Sequence, residues 1–328
     1  MMFIGTFFSL CSTHWLGVWL GLEINLMGFI PIMVQSSKSE EVESGIKYFL
    51  TQAIASALLL VASLMMFWKF GSWGVSSLGI FMNSSLVLSS LLLKLGMSPF
   101  HFWVPGVVSG LSWFCNILLL TWQKVAPMLV ICFFFSLSKE LLFVLILLSS
   151  FFGGVGGVNQ TSIRALLSYS SILHGGWMLS SMVISLEVAC IYLLLYSTIL
   201  IFILGEFLNQ ESKTNKQFNN IFLWNTFSRM AICFMILSMG GMPPMIGFFM
   251  KWMVLSILIS VKMVLVSAVL IVGSVIGLYY YLILMFSILV SCNSNWKYLN
   301  YVDMKLMSWS VFFNFSGLSF IFWLWSFI

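Results

Sequence analysis

The sequence predicts an all-α polytopic membrane protein of about eleven transmembrane helices, and its composition is the first reason. Hydrophobic residues occupy 61% of the 328 positions and charged residues only 7%, whereas a soluble domain is about 25% charged. The mean hydropathy is +1.08. Such a chain has too little polar surface to cover a globule in water, so lipid must cover it. This excludes a cytosolic enzyme, a disordered chain and a nucleic-acid binder, despite a net charge of +5.

Long apolar runs between polar breaks are the second reason, because a span needs about 20 apolar residues. The runs at 103–122 and 124–137 are expected to form one bent span with a lead-in, which leaves ten or eleven helices. The segment 1–35 makes roughly 52 Å of helix at about 1.5 Å per residue, too long for one crossing and short for two, so we expect a truncated first helix. All the runs lie at 3–14, 15–35, 47–68, 75–97, 103–122, 124–137, 141–158, 164–185, 188–208, 223–255, 262–290 and 306–328.

The polar stretches between these runs are short. Three of them look solvated, and none is long enough for a soluble domain: Ser36–Gly45, Asn209–Asn220 and Ser291–Lys305. The start of the chain lacks the Arg-rich character of a transit peptide, so we expect direct insertion into the membrane. We expect a single transmembrane domain over 1–328, with approximate repeats at 15–137 and 141–255 and C-terminal helices at 262–328.

Two segments of the pattern Gly-Met-x-Pro interrupt apolar runs, and each has a lysine nearby. They are Gly96-Met-Ser-Pro99 and Gly241-Met-Pro243-Pro244. Proline removes a backbone donor and clashes with the preceding turn, so each helix should break there. Broken helices at matching positions of two halves indicate the ion path of a transporter. Proline kinks without a transport role are the alternative, but the nearby lysines favour the functional interpretation.

Four charged residues lie deep in apolar runs, where charges are costly and need a reason. They are Glu23, Lys94, Lys124 and Lys251. The pKa of a free lysine is about 10.4; burial lowers the pKa of an ammonium and a nearby carboxylate raises it. A Glu–Lys pair of variable separation is therefore a proton site of switchable affinity, and Lys94 is the expected partner of Glu23. A static ion pair that fixes helix register is the alternative, and the sequence leaves both open.

Histidines and cysteines give weaker signals. His101, just past Pro99, and His174 are possible proton relays, since imidazole gives and takes a proton near neutral pH; a satisfied polar contact is the commoner role of a lone histidine. Glu206 is ambiguous, because it lies close to the end of its run. The six cysteines are too widely spaced for haem attachment or an iron–sulfur motif. We therefore expect no metal and no cofactor bound by this chain.

Longer motifs in a fixed order cover roughly residues 15–252. They are Trp19-Leu-Gly-Leu-Glu-Ile-Asn-Leu, Lys47-Tyr-Phe-Leu-Thr-Gln-Ala, Leu93-Lys-Leu-Gly-Met-Ser-Pro-Phe-His-Phe-Trp-Val-Pro, Leu120-Thr-Trp-Gln-Lys-Val-Ala-Pro, Gly156-Gly-Val-Asn-Gln-Thr, Tyr169-Ser-Ser-Ile-Leu-His-Gly-Gly-Trp and Ser238-Met-Gly-Gly-Met-Pro-Pro-Met-Ile-Gly-Phe-Phe-Met-Lys-Trp. In these motifs the sequence resembles the NADH–ubiquinone oxidoreductase chain 2 family, the mitochondrial branch of the antiporter-like subunits of respiratory complex I. The tail from Met253 is similar only in hydropathy.

The resemblance implies a mitochondrially encoded, multi-pass subunit of the mitochondrial inner membrane, with eleven helices in two inverted five-helix repeats. It implies a proton-translocating axis of Glu23 paired with Lys94, then Lys124, then Lys251, between two broken helices. It also implies that NADH, flavin, iron–sulfur clusters and ubiquinone belong to partner subunits. The partners would be other membrane-arm subunits, including neighbouring antiporter-like ones, and the lipid bilayer, with no nucleic acid.

Two other functional classes share part of this pattern. A cation/proton antiporter outside complex I would have the same broken helices and lysines, and would show sodium or potassium dependence without NADH. A purely structural membrane subunit would tolerate loss of all four buried charges. The four-charge pattern weighs against the structural class, and the length of the motif match weighs against the free antiporter.

Overall fold

A computed structural model describes residues 1–35, 38–71, 73, 81–134, 139–214, 226–290, 311, 312 and 314. Apolar runs punctuated by glycine, proline and short polar segments favour helices separated by tight connections, and this is what the chain forms. Within the described residues there are thirteen helices and no strand, which confirms the all-α prediction. The helices are α1 (Met2–Cys11), α2 (Trp15–Met33), α3 (Ser39–Phe70), α4 (Phe81–Leu95), α5 (Trp103–Gly110), α6 (Trp113–Leu120), α7 (Trp122–Phe134), α8 (Lys139–Val158), α9 (Ile163–Ile184), α10 (Leu186–Thr214), α11 (Thr226–Gly240), α12 (Ile246–Ser260) and α13 (Val264–Val290).

The first helix is short, as its sequence predicted. α1 has 10 residues and α2 has 19, and the two helices pack against each other. Small residues allow this close approach: a Cβ added to Gly21 would lie 2.5 Å from the backbone nitrogen of Ser9 and 2.7 Å from its Cα. The truncated first helix is therefore confirmed as a short segment held against the full-length helix that follows it.

The predicted bent span is formed by α6 and α7, with α5 as its lead-in. Apolar residues continue from Trp113 to Cys132 with a length sufficient for one crossing. The helix is interrupted at Thr121, whose backbone has φ −111° and ψ −71°. The Thr121 hydroxyl donates a hydrogen bond to the Ile117 carbonyl at 2.5 Å. A hydroxyl that bonds back to the preceding turn often bends a helix, and here the bend directly precedes Lys124.

Six helices in the described part of the chain are long and apolar enough to cross a bilayer, and four shorter apolar helices accompany them. The chain is therefore a multi-pass membrane protein. The expected total of eleven stays a prediction, because most of the run at 306–328 lies outside the described residues. The stretch 291–305, expected to be solvated, also lies outside them.

Two polar stretches are more helical than their sequence suggested. α3 already begins at Ser39, and α10 continues to Thr214. At the start of α3, Glu40 and Glu41 occupy the first turn, where the positive end of the helix dipole favours acidic side chains. The charged residues therefore identified these segments as polar, but they did not indicate where each helix begins or ends.

Helix α9 lies at the centre of the bundle. It is buried along almost its whole length and packs against α5, α8, α10, α12 and α13. Its serines Ser168, Ser170 and Ser171 each donate a hydrogen bond to the carbonyl three residues earlier, at 2.6–2.7 Å. Because α9 is surrounded by protein, its polar groups are not exposed to lipid, where they would be costly.

Candidate functional site

Both predicted helix breaks are present. The first separates α4 from α5 and the second separates α11 from α12. In each break a glycine adopts a positive φ, the following methionine N–H bonds to the carbonyl five residues back, and a cis peptide before proline follows. These residues are Gly96, Met97 and Ser98–Pro99 in the first break and Gly241, Met242 and Pro243–Pro244 in the second. The two breaks are therefore similar in backbone conformation as well as in sequence. A glycine with positive φ, followed by an N–H that bonds five residues back, commonly ends a helix.

The second break holds the Lys251 ammonium. In an unbroken helix the carbonyls of Met239 and Gly240 would accept bonds from residues 243 and 244, but both are prolines and have no N–H. Lys251 Nζ donates to the Gly240 carbonyl at 2.8 Å and to the Met239 carbonyl at 3.4 Å. These carbonyls are the negative end of the α11 dipole, which favours a cation. A Cβ on Gly241 would lie 2.9 Å from Lys251 Nζ, so glycine leaves room for the lysine.

Lys124 has a different set of acceptors. Its Nζ donates to the Ser171 carbonyl of α9 at 3.1 Å and to the Tyr196 hydroxyl of α10 at 3.3 Å. The same nitrogen lies 5.0 Å from the centre of the Tyr196 ring, within the range of a cation–π contact. Lys124 therefore joins α7 to α9 and α10 through a buried cation with hydrogen-bond partners.

His174 is a further buried basic side chain, on α9. Its Nδ1 is 2.9 Å from the Tyr192 hydroxyl, and its ring centre is 5.2 Å from that of Tyr196. Lys124 and Lys251 both act electrostatically on the imidazole, which also lies beside the Met239 carbonyl. His174 therefore has neighbours on α10 and α11 that can donate or accept a hydrogen bond.

Lys94 and Lys124 share one cavity. The uncharged polar side chains that line it with them are Asn25, Tyr48, Gln52 and Gln123. The space open to the centre of a water molecule is about 20 Å³, and one water needs about 10–15 Å³. The two lysines therefore face a common compartment in which water fits.

Glu23 acts on Lys94 without touching it. Its carboxylate interacts through space with both Lys94 and Tyr48, but Glu23 and Lys94 form no direct ion pair; among the described residues an ion pair joins Lys47 to Glu43 at 2.6 Å. One Glu23 carboxylate oxygen is buried without a hydrogen bond to any described residue. Among the described residues Glu23 and Lys94 are therefore not joined by a salt bridge, and their role as a switchable proton site stays a prediction.

The chain can now be compared with known proteins. The sequence profile of the family described as "NADH:quinone oxidoreductase/Mrp antiporter, TM" matches residues 12–277. The chain belongs to this family. The NADH-ubiquinone oxidoreductase chain 2 of Anopheles gambiae is 40% identical over 318 residues, which are 96% of this chain and 92% of that protein. The protein of the same name from Locusta migratoria is 38% identical over 304 residues, 93% of this chain and 88% of its own.

Two solved structures have the same fold. A chain of respiratory complex I from Thermus thermophilus superposes with a TM-score of 0.79 at 22% identity, over 96% of this chain and 75% of its own. A chain of the membrane-bound sulfane sulfur reductase, an archaeal respiratory membrane complex, gives a TM-score of 0.86 at 13% identity, over 99% and 72% respectively. At these identities the likeness is one of fold.

The remaining predicted residues, His101, Glu206 and His174, lie in different surroundings. His101 is buried at the first break, where its ring centre lies 4.3 Å from that of Phe102 and 5.1 Å from that of Phe152. It is not one of the described residues that line the Lys94–Lys124 cavity. The sequence left open whether Glu206 is buried; the side chain is only 1% exposed and therefore lies inside the protein. His174 is thus brought together with the lysines, whereas His101 lies among aromatic side chains.

Six uncharged polar residues of the site were not predicted from the sequence, because uncharged side chains do not stand out in an apolar run: Asn25, Tyr48, Gln52, Gln123, Tyr192 and Tyr196. A signal was available for two of the tyrosines, since Tyr192 and Tyr196 are four residues apart and share one helix face. None was available for Asn25 and Gln123, which are 98 residues apart in sequence and meet only through the fold.

Proposed function

We propose that this chain is a core membrane-arm subunit of the proton-pumping NADH:ubiquinone oxidoreductase, respiratory complex I, in the mitochondrial inner membrane. NADH oxidation and quinone reduction take place in partner subunits, which hold the flavin, the iron–sulfur clusters and ubiquinone. This chain couples the energy of that reaction to proton movement. Neighbouring antiporter-like subunits and other membrane-arm subunits pack beside it in the bilayer.

The observation that supports the proposed proton path is the presence of buried basic side chains on α4, α7, α9 and α12. Lys94 and Lys124 face one cavity, Lys124 reaches α9 and α10, and Lys251 binds the carbonyls at the second break. Lys124 and Lys251 both act electrostatically on His174. Buried ionisable groups in a membrane protein that are supplied with hydrogen-bond partners are typical of proton paths.

In this path Lys94 is the group that Glu23 controls. Because the two side chains are not in contact, their attraction varies with distance as expected for charges in a medium of low dielectric constant. A shift of α2 relative to α4 therefore changes the stability of the Lys94 ammonium. Lys94 loads a proton when Glu23 is near and passes it to Lys124 when Glu23 recedes; His174 and Lys251 take it further.

A cation/proton antiporter outside complex I is the second candidate. It is supported by the family description, which covers Mrp antiporters as well as NADH:quinone oxidoreductases. The relatives with high coverage carry the name of the complex I subunit, which favours the first candidate.

The test examines first the complex in which this chain is assembled and then the proton path. Source membranes are extracted gently and resolved by native electrophoresis, and bands are stained for NADH dehydrogenase and searched for this chain by mass spectrometry. We expect the chain in a very large NADH-oxidising band; its presence only in a small band without NADH activity would favour the antiporter. Lys124→Met should then lower the protons moved per electron in vesicles, and an unchanged ratio would refute the role of that lysine.

A further inference from the structure

A reciprocal pair of amides crosses the cavity between Lys94 and Lys124. Asn25 Nδ2 donates to Gln123 Oε1 at 2.8 Å, and Gln123 Nε2 donates to Asn25 Oδ1 at 3.2 Å. Both side chains line the compartment that the two lysines share. Asn25 is 3% exposed, and Gln123 directly precedes Lys124 in α7. The pair therefore links α2 and α7 at the point where a proton would leave one lysine for the other.

Amides suit this position for a chemical reason. Each side-chain amide has two N–H donors and an oxygen with two lone pairs, so each partner keeps one donor and one acceptor site after the reciprocal bonds are made. An amide neither gains nor loses a proton near neutral pH. A water molecule held by the pair can therefore point its hydrogens in either direction, and no charge forms on the protein side chains that hold it.

Other polar side chains would perform this task less well. A carboxylate between two lysines would form an ion pair and retain the proton there. An apolar side chain would leave the water without a partner, and water in a small apolar cavity is not retained. The chain instead places two amides here, and a third, Gln52, lies on the same cavity and donates to the Lys94 carbonyl at 3.3 Å.

We infer that the Asn25–Gln123 amide pair is a water-binding positioning element for proton transfer between Lys94 and Lys124. This inference rests on the proposed proton path and assigns a role to two residues outside the charged axis. Neither amide accepts the proton. The pair fixes the orientation and distance of the water through which the proton passes.

The experiment uses the intact complex in sealed vesicles and measures protons moved per electron together with coupled NADH:quinone turnover. Asn25→Leu and Gln123→Met keep the approximate length of the side chain and remove one amide each. We expect both variants to lose about tenfold or more in coupled proton transfer, because misplacing a reacting group by about 1 Å can cost ~100-fold. The exchange variant N25Q/Q123N keeps two amides and should recover most of the loss.

The matched control is Asn116→Leu. Asn116 is a buried amide whose Nδ2 donates to the Val108 carbonyl at 3.1 Å, away from the cavity, so its loss should weaken the fold and leave the proton yield per electron unchanged. If Asn25→Leu and Gln123→Met pump normally, the inference is wrong. If they fail and N25Q/Q123N fails equally, the pair is a structural clamp and the inference is also wrong.

Failure of the proposed function has a different signature. Lys94→Met and Lys124→Met are measured in the same vesicles. If both lysine variants pump normally, the proton path itself is refuted. If the lysine variants stop pumping while the amide variants do not, the path stands and only the role of the amide pair is refuted. The amount of this chain found in the large NADH-oxidising band of a native gel reports whether the complex has assembled in each variant.

Discussion

Replacing Lys94 and Lys251 by methionine should affect the stability of the protein very differently, although both changes remove a lysine of the proposed proton path. Lys251 Nζ donates to the carbonyls of Gly240 and Met239 at 2.8 Å and 3.4 Å. Prolines at 243 and 244 provide no N–H to replace it. Lys94 Nζ makes no hydrogen bond to the described residues, and methionine has a similar length and volume. The two lysines therefore form a matched pair.

The expected magnitude follows from these contacts. A hydrogen bond to a charged group contributes about 1.5–3 kcal/mol, and a buried carbonyl left without a donor costs about 1–3 kcal/mol. The 2.8 Å bond of Lys251 counts fully and the 3.4 Å bond only in part, so Lys251→Met should destabilise the subunit by roughly 2–4 kcal/mol. For Lys94→Met we expect only a small change, because the variant no longer buries an amine without hydrogen bonds but also removes the opposite charge that acts on Glu23.

The assay compares the two variants under graded heating of the extracted complex, followed by native electrophoresis of the fraction that remains intact. Lys251→Met should dissociate at lower temperature than the wild type, whereas Lys94→Met should match it, and both should lose coupled proton transfer in vesicles. Equal thermal resistance of the two variants would refute the assignment of the Gly240 and Met239 carbonyls as ligands of Lys251. Destabilisation by Lys94→Met to the same extent as by Lys251→Met would contradict the expectation that Lys94 contributes little to stability.

Three further predictions concern the same path and its packing. Tyr196→Phe removes the hydroxyl that accepts a bond from Lys124 at 3.3 Å but keeps the ring. Coupled turnover should therefore fall, while the free energy of unfolding should drop by only about 1 kcal/mol. Unchanged turnover would contradict the role of Lys124 as a proton relay. Gly241→Ala places a Cβ 2.9 Å from Lys251 Nζ at φ +82°, and the strain of about 1–2 kcal/mol should reproduce the instability of Lys251→Met in the heating assay. Gly247→Ala would overlap the backbone of α11 and cost about 1–3 kcal/mol, which a normal level of assembled complex in native gels would disprove.

The helix breaks could be predicted from the sequence because their causes are local. Proline removes an N–H wherever it stands, and glycine alone adopts a positive φ without strain. For the same reason the short first helix and the bend before Lys124 followed from run lengths and break positions. The identity of the deep charged residues also needed only the surrounding sequence.

The partners of those charged residues could not be predicted, because they depend on how distant helices pack. Lys124 meets Tyr196 across 72 positions of sequence, and nothing in the local pattern of either residue indicates the other. The sequence paired Glu23 with Lys94 by elimination, and in the structure the two interact without a direct ion pair. The central position of α9 could not be predicted either, since its apolar run resembles those of the lipid-facing helices.

The two breaks share a backbone motif but hold their lysines in opposite ways. At the second break the lysine follows the interruption, and its ammonium is held by carbonyls that two prolines leave without N–H partners. At the first break Lys94 precedes the interruption, and the charge that stabilises it is Glu23, on another helix. Fixed carbonyls of the same break keep their distance from Lys251, whereas a carboxylate on α2 can approach Lys94 or recede from it. A switch requires a differential interaction between two states, so in the proposed proton path we expect Lys94, and not Lys251, to be the position at which a movement of one helix would change how firmly the proton is held.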